Sequence, residues 1–446
     1  MNARDTSVGA RTLKRLRKSR GWSLAGLSHS LANVASQRGI SLPVPITSVQ
    51  RSVARWECAA SPVRPSHHYQ LLLAHLYARN ASGTLSLGPG SDFSELLTAL
   101  AHHGESDHQL SELRSLVTRS VTTGNEGLLA LLGPHVGTTV TSALENPARI
   151  DATLLHGLHA AVENANRQVG SLPFARLQLL LFPVVETCQR LLGSEVPTPL
   201  LPGLRTVASQ ALTLAGRIAF ETYDDGASGS LYAAATEAAE PLPSWHRAVV
   251  HMSHALVVLY STPGTDAARV LVEAAVRGAR TGDNPAVRGR AHALHSEIAA
   301  RSGDRRQALS ALSLARYDID GTQEGNPPSS GFSSYHLRGF EGLCDLHTGD
   351  ASTADTHFAE AAAALTRPRD RLQRAIITTD QALARIRLGD PVSGTALLHT
   401  CADEVAAMGG RVPALRLRRA RHALRPWHSE RFVAELDDHL LTMQQG

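Results

Sequence analysis

The sequence predicts an all-α chain in which a small basic helical domain precedes a long array of helical repeats. Three observations point there. Aromatic residues make up only 4% of the 446 residues, which favours helices over strands, whose pleated surfaces draw on aromatic and β-branched side chains. Leucines and alanines recur at three- and four-residue spacing through most of the chain. In the second half, glycines return at near-constant intervals. At roughly 100–200 residues per domain, this length implies two to four domains.

Charge divides the chain unevenly. Residues 1–80 hold 12 Lys and Arg against two acids, Asp5 and Glu57, a local charge of +10 that leaves −6 on the remainder. Such asymmetry suggests a polyanion-binding module joined to a body with a different task. The mean hydropathy is −0.12, and the longest apolar run, Leu177–Val185 around one Gln, falls far short of the ~20 residues of a membrane span, so no membrane partner is expected. The first 20 residues are basic with no apolar run after them, so no secretory signal is expected either. Four scattered cysteines without a C-x-x-C fit a reducing compartment, and a cytoplasmic, nucleoid-associated location is expected.

Four zones follow in order. Residues 1–80 form the basic helical domain. Arg11–Arg20 is an amphipathic first helix with Leu13 and Leu16 inward, Gly21 ends it, and Ser23 caps a second helix built on Leu27 and Leu31. A third helix, Thr47–Glu57, turns Val49, Val53 and Trp56 to one face. Tyr69–Tyr77 closes the domain. Residues 81–91, rich in Gly and Ser, read as a linker. Residues 92–204 are a helical connecting or dimerisation region, opened by a helix that Asp92 caps over Leu96, Leu97 and Leu100. Within it Ile150–Gly193 forms two helices split at Gly170–Pro173.

Residues 205–446 carry the period. Turn glycines stand at Gly226, Gly264, Gly303, Gly349 and Gly389, the last three followed by Asp. Seven residues before those three are the small Ser296, Gly342 and Ala382; nine residues after them are the large Leu312, Phe358 and Leu398. Small positions let paired helices approach closely, and large ones fill the space between pairs. This resembles the tetratricopeptide repeat, best over residues 290–405, with longer periods and no Pro closing each unit. The resemblance implies an α-solenoid whose concave face takes a peptide, a small-molecule effector or a protein partner.

The third helix carries the specific chemistry. With Val49, Val53 and Trp56 inward, Ser48, Gln50, Arg51 and Arg55 are left for the other sides. Gln and Arg are the side chains that read adenine and guanine edges bidentately in a major groove. The order R-x-x-x-G-W-S, a leucine-spaced helix, then V-Q-R-S-V-A-R-W-E resembles the Cro/repressor-type (xenobiotic-response-element) helix-turn-helix over about 65 residues. Joined to a long helical-repeat domain, it looks like the actinobacterial regulators of secondary metabolism and development. The resemblance implies a transcriptional regulator that binds double-stranded DNA as a homodimer. It places Gln50, Arg51 and Arg55 at base-contacting positions, Ser48 and Ser52 at the DNA backbone, and Arg17 with Glu57 in an internal ion pair. Lys14, Arg15, Lys18, Arg20 and Arg38 are further candidates for phosphate contacts. The chain departs from the family's pattern in three places. The turn before the third helix, Ala35–Pro45, is longer; Leu24 stands where a DNA-contacting Gln is frequent; and Ala59 replaces a Gly.

Blander readings remain beside each of these. Arg51 and Arg55 alone would suit a solvated basic face, and Trp22 and Trp56 suit a core better than the stacking platforms an RNA-binding surface needs. Of 22 histidines, His102, His103 and His108 lie with Glu105 and Asp107, and His156/His159, His251/His254 and His292/His295 are i,i+3 pairs. No H-E-x-x-H or Cys cluster accompanies them, so no metal is expected. The only two lysines, Lys14 and Lys18, exclude a Walker-type loop or a Lys Schiff base beyond the basic domain. No catalytic residue and no cofactor is expected. The rival function is a protein-interaction adaptor in which the repeats bind a partner and no sequence-specific DNA contact is made.

Overall fold

The computed structural model describes residues 5–37, 45–105, 107–122, 134–282, 284–320 and 332–445. The elements among these residues are helices, with no strand. None of the helices there is long and apolar enough to cross a membrane. The chain divides into two compact units, residues 1–161 with 175–191 and 441–446, and residues 162–174 with 192–440.

The first unit opens with α1 (Thr6–Ser19), α2 (Leu24–Gln37), α3 (Ile46–Trp56) and α4 (His67–Tyr77). α1 begins five residues before Arg11 because the Asp5 carboxylate accepts from the backbone N–H groups of Ser7 and Val8 at 3.0 and 3.3 Å. Those donors have no helical carbonyl to reach. Gly21 ends the helix at φ 68°, and the Ser23 hydroxyl accepts from the Gly26 N–H at 3.0 Å to start α2. α3 has no side-chain cap and follows Pro45, whose ring holds φ at −57°. The long turn's Arg38 lies outside the described residues.

Two features differ from the sequence expectation. Ser91, in extended backbone, is the cap of α5 (Asp92–His102); its hydroxyl accepts from the Ser94 N–H at 3.1 Å, which leaves Asp92 as the first helical residue rather than the cap. Residues 81–91 also do not separate two cores. Asn80 folds them into a compact loop, its Oδ1 accepting from the Ser82 and Thr84 N–H groups at 3.1 and 3.0 Å. This loop returns α5 onto α1, and Phe93, Leu96 and Leu100 join Leu16, Leu31, Val53 and Leu72 in one core. A one-sided apolar helix must bury its stripe, and the nearest apolar surface is that of α1–α4. α6 (Asp107–Thr122) adds Leu113 and Val117 to the same core. Beyond it come α7 (Pro134–Glu145), α8 (Ala152–Gln168) and α9 (Phe174–Leu192), the last two parted at Gly170, which takes φ 92°.

The second unit is a succession of antiparallel helix hairpins. They are α10 (Leu201–Glu221) with α11 (Asp225–Ala239), α12 (Ser244–Ser261) with α13 (Asp266–Ala279), α14 (Pro285–Arg301) with α15 (Arg305–Asp320), α16 (Ser334–Thr348) with α17 (Ala351–Ala364), and α18 (Arg371–Arg387) with α19 (Pro391–Met408). The first helix of each hairpin also packs on the first helix of the next, and α20 (Arg411–Ala423) continues that series before α21 (Arg431–Gln445).

One turn recurs in four of these hairpins. The N–H groups of Asp224, Asp304, Asp350 and Asp390 donate to the carbonyls of Ala219, Ala299, Asp345 and Arg385 at 2.9–3.0 Å, closing the preceding helix. The side chains of the same aspartates then accept from Ala227, Gln307, Thr353 and Ser393 N–H groups, opening the next helix. Such a turn needs one residue in the left-handed region before the Asp, and Gly303, Gly349 and Gly389 supply it. In the first hairpin that residue is Tyr223 at φ 67°, not Gly226, which lies inside α11. The period therefore runs from Tyr223, three residues earlier than the glycine spacing implies. Counted from it, the small position is Gly216 and the large one Tyr232, matching the later hairpins. A Cβ at Gly216 would stand 3.0 Å from the Tyr232 ring, and one at Gly342 would stand 2.7 Å from the Phe358 ring.

The series also meets its own beginning. The Val412 N–H of α20 donates to Glu221 Oε2 of α10 at 2.9 Å, and the Arg411 guanidinium lies over Phe220 and Tyr223 at 4.5 and 5.5 Å while pairing with Asp225.

Because the Gly342 contact has no room for a methyl group, Gly342→Ala is expected to destabilise the protein by about 1–3 kcal/mol in urea unfolding. Gly342→Ala/Phe358→Leu should recover part of that loss, and an undiminished loss would show that the two positions do not oppose each other.

Candidate nucleic-acid interface

α3 is a two-sided helix. Val49, Val53 and Trp56 are buried, Thr47, Arg51, Ala54 and Arg55 are exposed, and Ser48, Gln50 and Ser52 are half-buried between them. The Ser52 hydroxyl donates to the Ser48 carbonyl at 3.1 Å, so its proton is used inside the helix. Gln50, Arg51 and Arg55 thus stand on one continuous outward side.

A buried fork holds this helix. Arg17 Nε and Nη2 donate to Glu57 Oε1 and Oε2, both at 2.7 Å, and Arg17 Nη1 donates to the Trp22 carbonyl at 2.6 Å. The side chains are 9% and 5% exposed. The hydrogen bond it donates to Glu57 raises the Arg17 pKa above its ordinary value against the opposing effect of burial. One guanidinium therefore ties the last turn of α1, the residue that ends α3 and the entry to α2. A planar fork matches a carboxylate in two bonds, which fixes angle as well as distance.

The remaining cations divide into free and engaged. Lys14, Lys18, Arg51 and Arg55 are exposed, with no carboxylate partner among the described residues. Lys14 and Lys18 follow Arg11 along one side of α1, at spacings of three and four. Arg15 is exposed but bonded to Glu95 Oε2 at 3.0 Å. Arg20 is engaged inside the unit. Its side chain is 7% exposed, its Nε donates to Asp92 Oδ2 at 2.6 Å, its Nη2 donates to the Arg79 carbonyl, and the guanidinium lies 5.6 and 5.5 Å from the Trp22 and Tyr77 rings. The reason is α5: Asp92 and Glu95 occupy its first turn, where helix geometry favours acids, and its packing on α1 presents them to Arg20 and Arg15. Sequence reasoning missed both pairs by setting α5 beyond a linker. The available signal was two acids at the start of the first helix after a basic one.

The other candidate groups are structural. Trp56 is 4% exposed and packs at 4.9 Å on Tyr69, and Trp22 packs at 6.1 Å on Tyr77, so neither ring is an open stacking platform. Glu105 is buried and accepts from Gln70 Nε2 at 2.7 Å beside Arg64 at 3.4 Å. His103 is buried where Gly9 of α1 meets α5. His254 stacks on Tyr232 at 4.5 Å, and His292 lies 3.9 Å from Asp318. Among the described residues, no three His, Cys, Asp or Glu side chains converge as a metal would need. Burial pushes the Cys188 and Cys344 thiols up to about 12 and Cys401 to about 11, while Cys58 is exposed.

No family model, no curated protein and no solved structure matches the chain.

Two outcomes follow from this packing. Arg17→Met leaves Glu57 buried and unpaired and is expected to cost about 3–5 kcal/mol, whereas Arg17→Met/Glu57→Leu should regain most of it, read by urea unfolding. Burial, with Arg64 and His102 beside it, pushes His103 down to about 4. The folded ring is therefore neutral while the unfolded one takes a proton near pH 6.5. Its contribution is full above pH 6.5 and is lost as pH falls toward 4, by about 3 kcal/mol. His103→Gln should flatten that part of the stability–pH curve, and an unchanged slope would place the titration elsewhere.

Proposed function

We propose that this protein is a sequence-specific DNA-binding transcriptional regulator. In this reading α2 and α3 form a helix-turn-helix of the Cro/repressor kind, with α3 entering the major groove and the second unit acting as an α-solenoid that senses an effector or partner. The observation that carries it is the outward side of α3. Gln50, Arg51 and Arg55 stand there free of internal carboxylates, on a helix whose angle is held by the Arg17–Glu57 fork. Gln50 is suited to an adenine edge and the arginines to guanine edges. Lys14 and Lys18 supply phosphate contacts, which fix register without reading sequence. Arg15 joins them once its exposed bond to Glu95 opens.

The recurrent hairpins of the second unit support a tetratricopeptide-like solenoid. Four of the five hairpins repeat the same left-handed turn and Asp cap, and two of them show the close small-to-large contact. A homodimer is the natural form for such a reading head, since paired half-sites lie about 34–36 Å apart on one face of the duplex.

Footprinting on fragments of the host genome tests the reading. Arg51→Ala and Gln50→Ala should each lower discrimination at one base pair by about 1–3 kcal/mol. Lys14→Ala and Lys18→Ala should weaken all sites alike and reduce the salt slope of log K by about one each. If Gln50→Ala/Arg51→Ala protein protects the same sites with equal selectivity, α3 is not the reading helix. An interaction adaptor without base contacts would give no sequence-defined footprint in the wild-type protein.

A further inference from the structure

The first helices of the hairpins bring together charges that are far apart in sequence. Arg301, at the end of α14, donates to Glu297 Oε1 and to the Tyr260 hydroxyl, each at 2.7 Å. Arg416 of α20 pairs with Asp380 of α18, lies 3.5 Å from the same Glu297 oxygen, and covers the Tyr260 ring at 5.5 Å. Glu297 and Asp380 are 1% and 4% exposed and are both consumed by these two arginines.

Two more arginines reach the same place. Arg419 of α20 meets His347 of α16, Nη1 to Nε2, at 3.5 Å. Arg387, at the end of α18, donates to the neighbouring Leu346 carbonyl at 2.7 Å. Neither has a carboxylate partner among the described residues. The cluster thus gathers four guanidiniums against two carboxylates. His347 does not offset the excess: burial, with Arg301, Arg419, Arg387 and Arg416 around it, pushes its pKa down to about 2, so the ring is neutral. Arg419 is lowered by its own burial and by Arg301, with Arg387 and Arg416 adding to the effect and Asp380 opposing it.

Helix termini explain only part of this. Arg301 and Arg387 end their helices, where cations are favoured, and Arg387 satisfies a terminal carbonyl of α16. Arg419 stands before the last turn of α20, so no such benefit applies to it. Half-buried positive charge without a counter-charge is costly, and a partly desolvated surface of one sign attracts anions. Arg387 is exposed and Arg419 and His347 are half-buried, so the unmatched side of the cluster faces solvent.

We propose that Arg387 and Arg419 form an anion site for a phosphate-type dianion, free or carried as the phosphate ester of a small molecule, with Arg301, Arg416 and His347 behind it. Two unmatched guanidiniums balance two negative charges, and their planar forks match tetrahedral oxyanions in paired hydrogen bonds. The site stands on the hairpin geometry; only its role as the effector site rests on the regulator reading.

The test uses the full chain without DNA, so failure of the DNA-binding reading leaves it intact. Thermal unfolding and calorimetry are measured with inorganic phosphate, with adenosine monophosphate and with chloride at matched ionic strength. Phosphate should raise Tm well beyond chloride, and Arg419→Gln and Arg387→Gln should each weaken binding at least tenfold. Arg419→Gln without ligand should unfold at or above the wild-type temperature, because it relieves repulsion. A lower value would mean that Arg419 is a structural ion-pair member and would overturn the proposal. So would phosphate acting no better than chloride, or an increment retained in both variants. Tighter binding of the monophosphate assigns the ester as ligand, and tighter binding of phosphate assigns the free anion.

Discussion

The helical array depends on one backbone constraint. In four of the five hairpins, where the first helix ends and the second begins, a residue enters the left-handed region and is followed by Asp. That Asp closes one helix with its N–H and opens the next with its carboxylate. The turn fixes where the two helices leave it, so it also fixes which residues face each other. Seven residues before the turn and nine after it, the helices come so close that Gly342 lies against Phe358 and Gly216 against Tyr232. The same phase carries the ends of α14, α16 and α18, with Arg301, His347 and Arg387, to one place. The arginine cluster is thus a consequence of the turn as much as of the side chains. A left-handed non-glycine residue costs on the order of 1–2 kcal/mol, and Tyr223 sits in the hairpin whose turn is also covered by Arg411.

In the first unit several buried charges are held in specific pairs. Arg17 is buried with Glu57, Arg20 with Asp92, and Glu105 with Gln70 and Arg64. Each pair joins elements that the hydrophobic core already holds together, so its contribution is angular as much as energetic. Among the described residues, Lys14 and Lys18 on α1 and Arg51 and Arg55 on α3 are left without a carboxylate partner. Within the basic segment, Arg17 and Arg20 are thus taken up in internal pairs while Lys14, Lys18, Arg51 and Arg55 stay exposed.

Much of this was legible from the residues in order. Aromatic-poor composition and leucine spacing set the helical class. The Val49, Val53 and Trp56 stripe set the inner face of α3, and with it the outward side on which Gln50, Arg51 and Arg55 stand. The Gly-Asp pairs marked three of the recurring turns. These features are local, because a helix face and a turn are decided by residues within a few positions of one another.

Only the tertiary structure decided the rest. That Arg20 is tied to Asp92 depends on α5, 72 residues away in sequence, packing back on α1. That the first repeat turns at Tyr223 depends on a backbone angle that residue type disfavours, so glycine spacing pointed to Gly226 instead. That Arg301, Arg387, Arg416 and Arg419 share one neighbourhood depends on helices from separate hairpins stacking in phase. The physical reason is common to all three. Periodicity tells a residue which way it faces, whereas its partner is set by long-range packing, and charge acquires meaning only through the partner it meets.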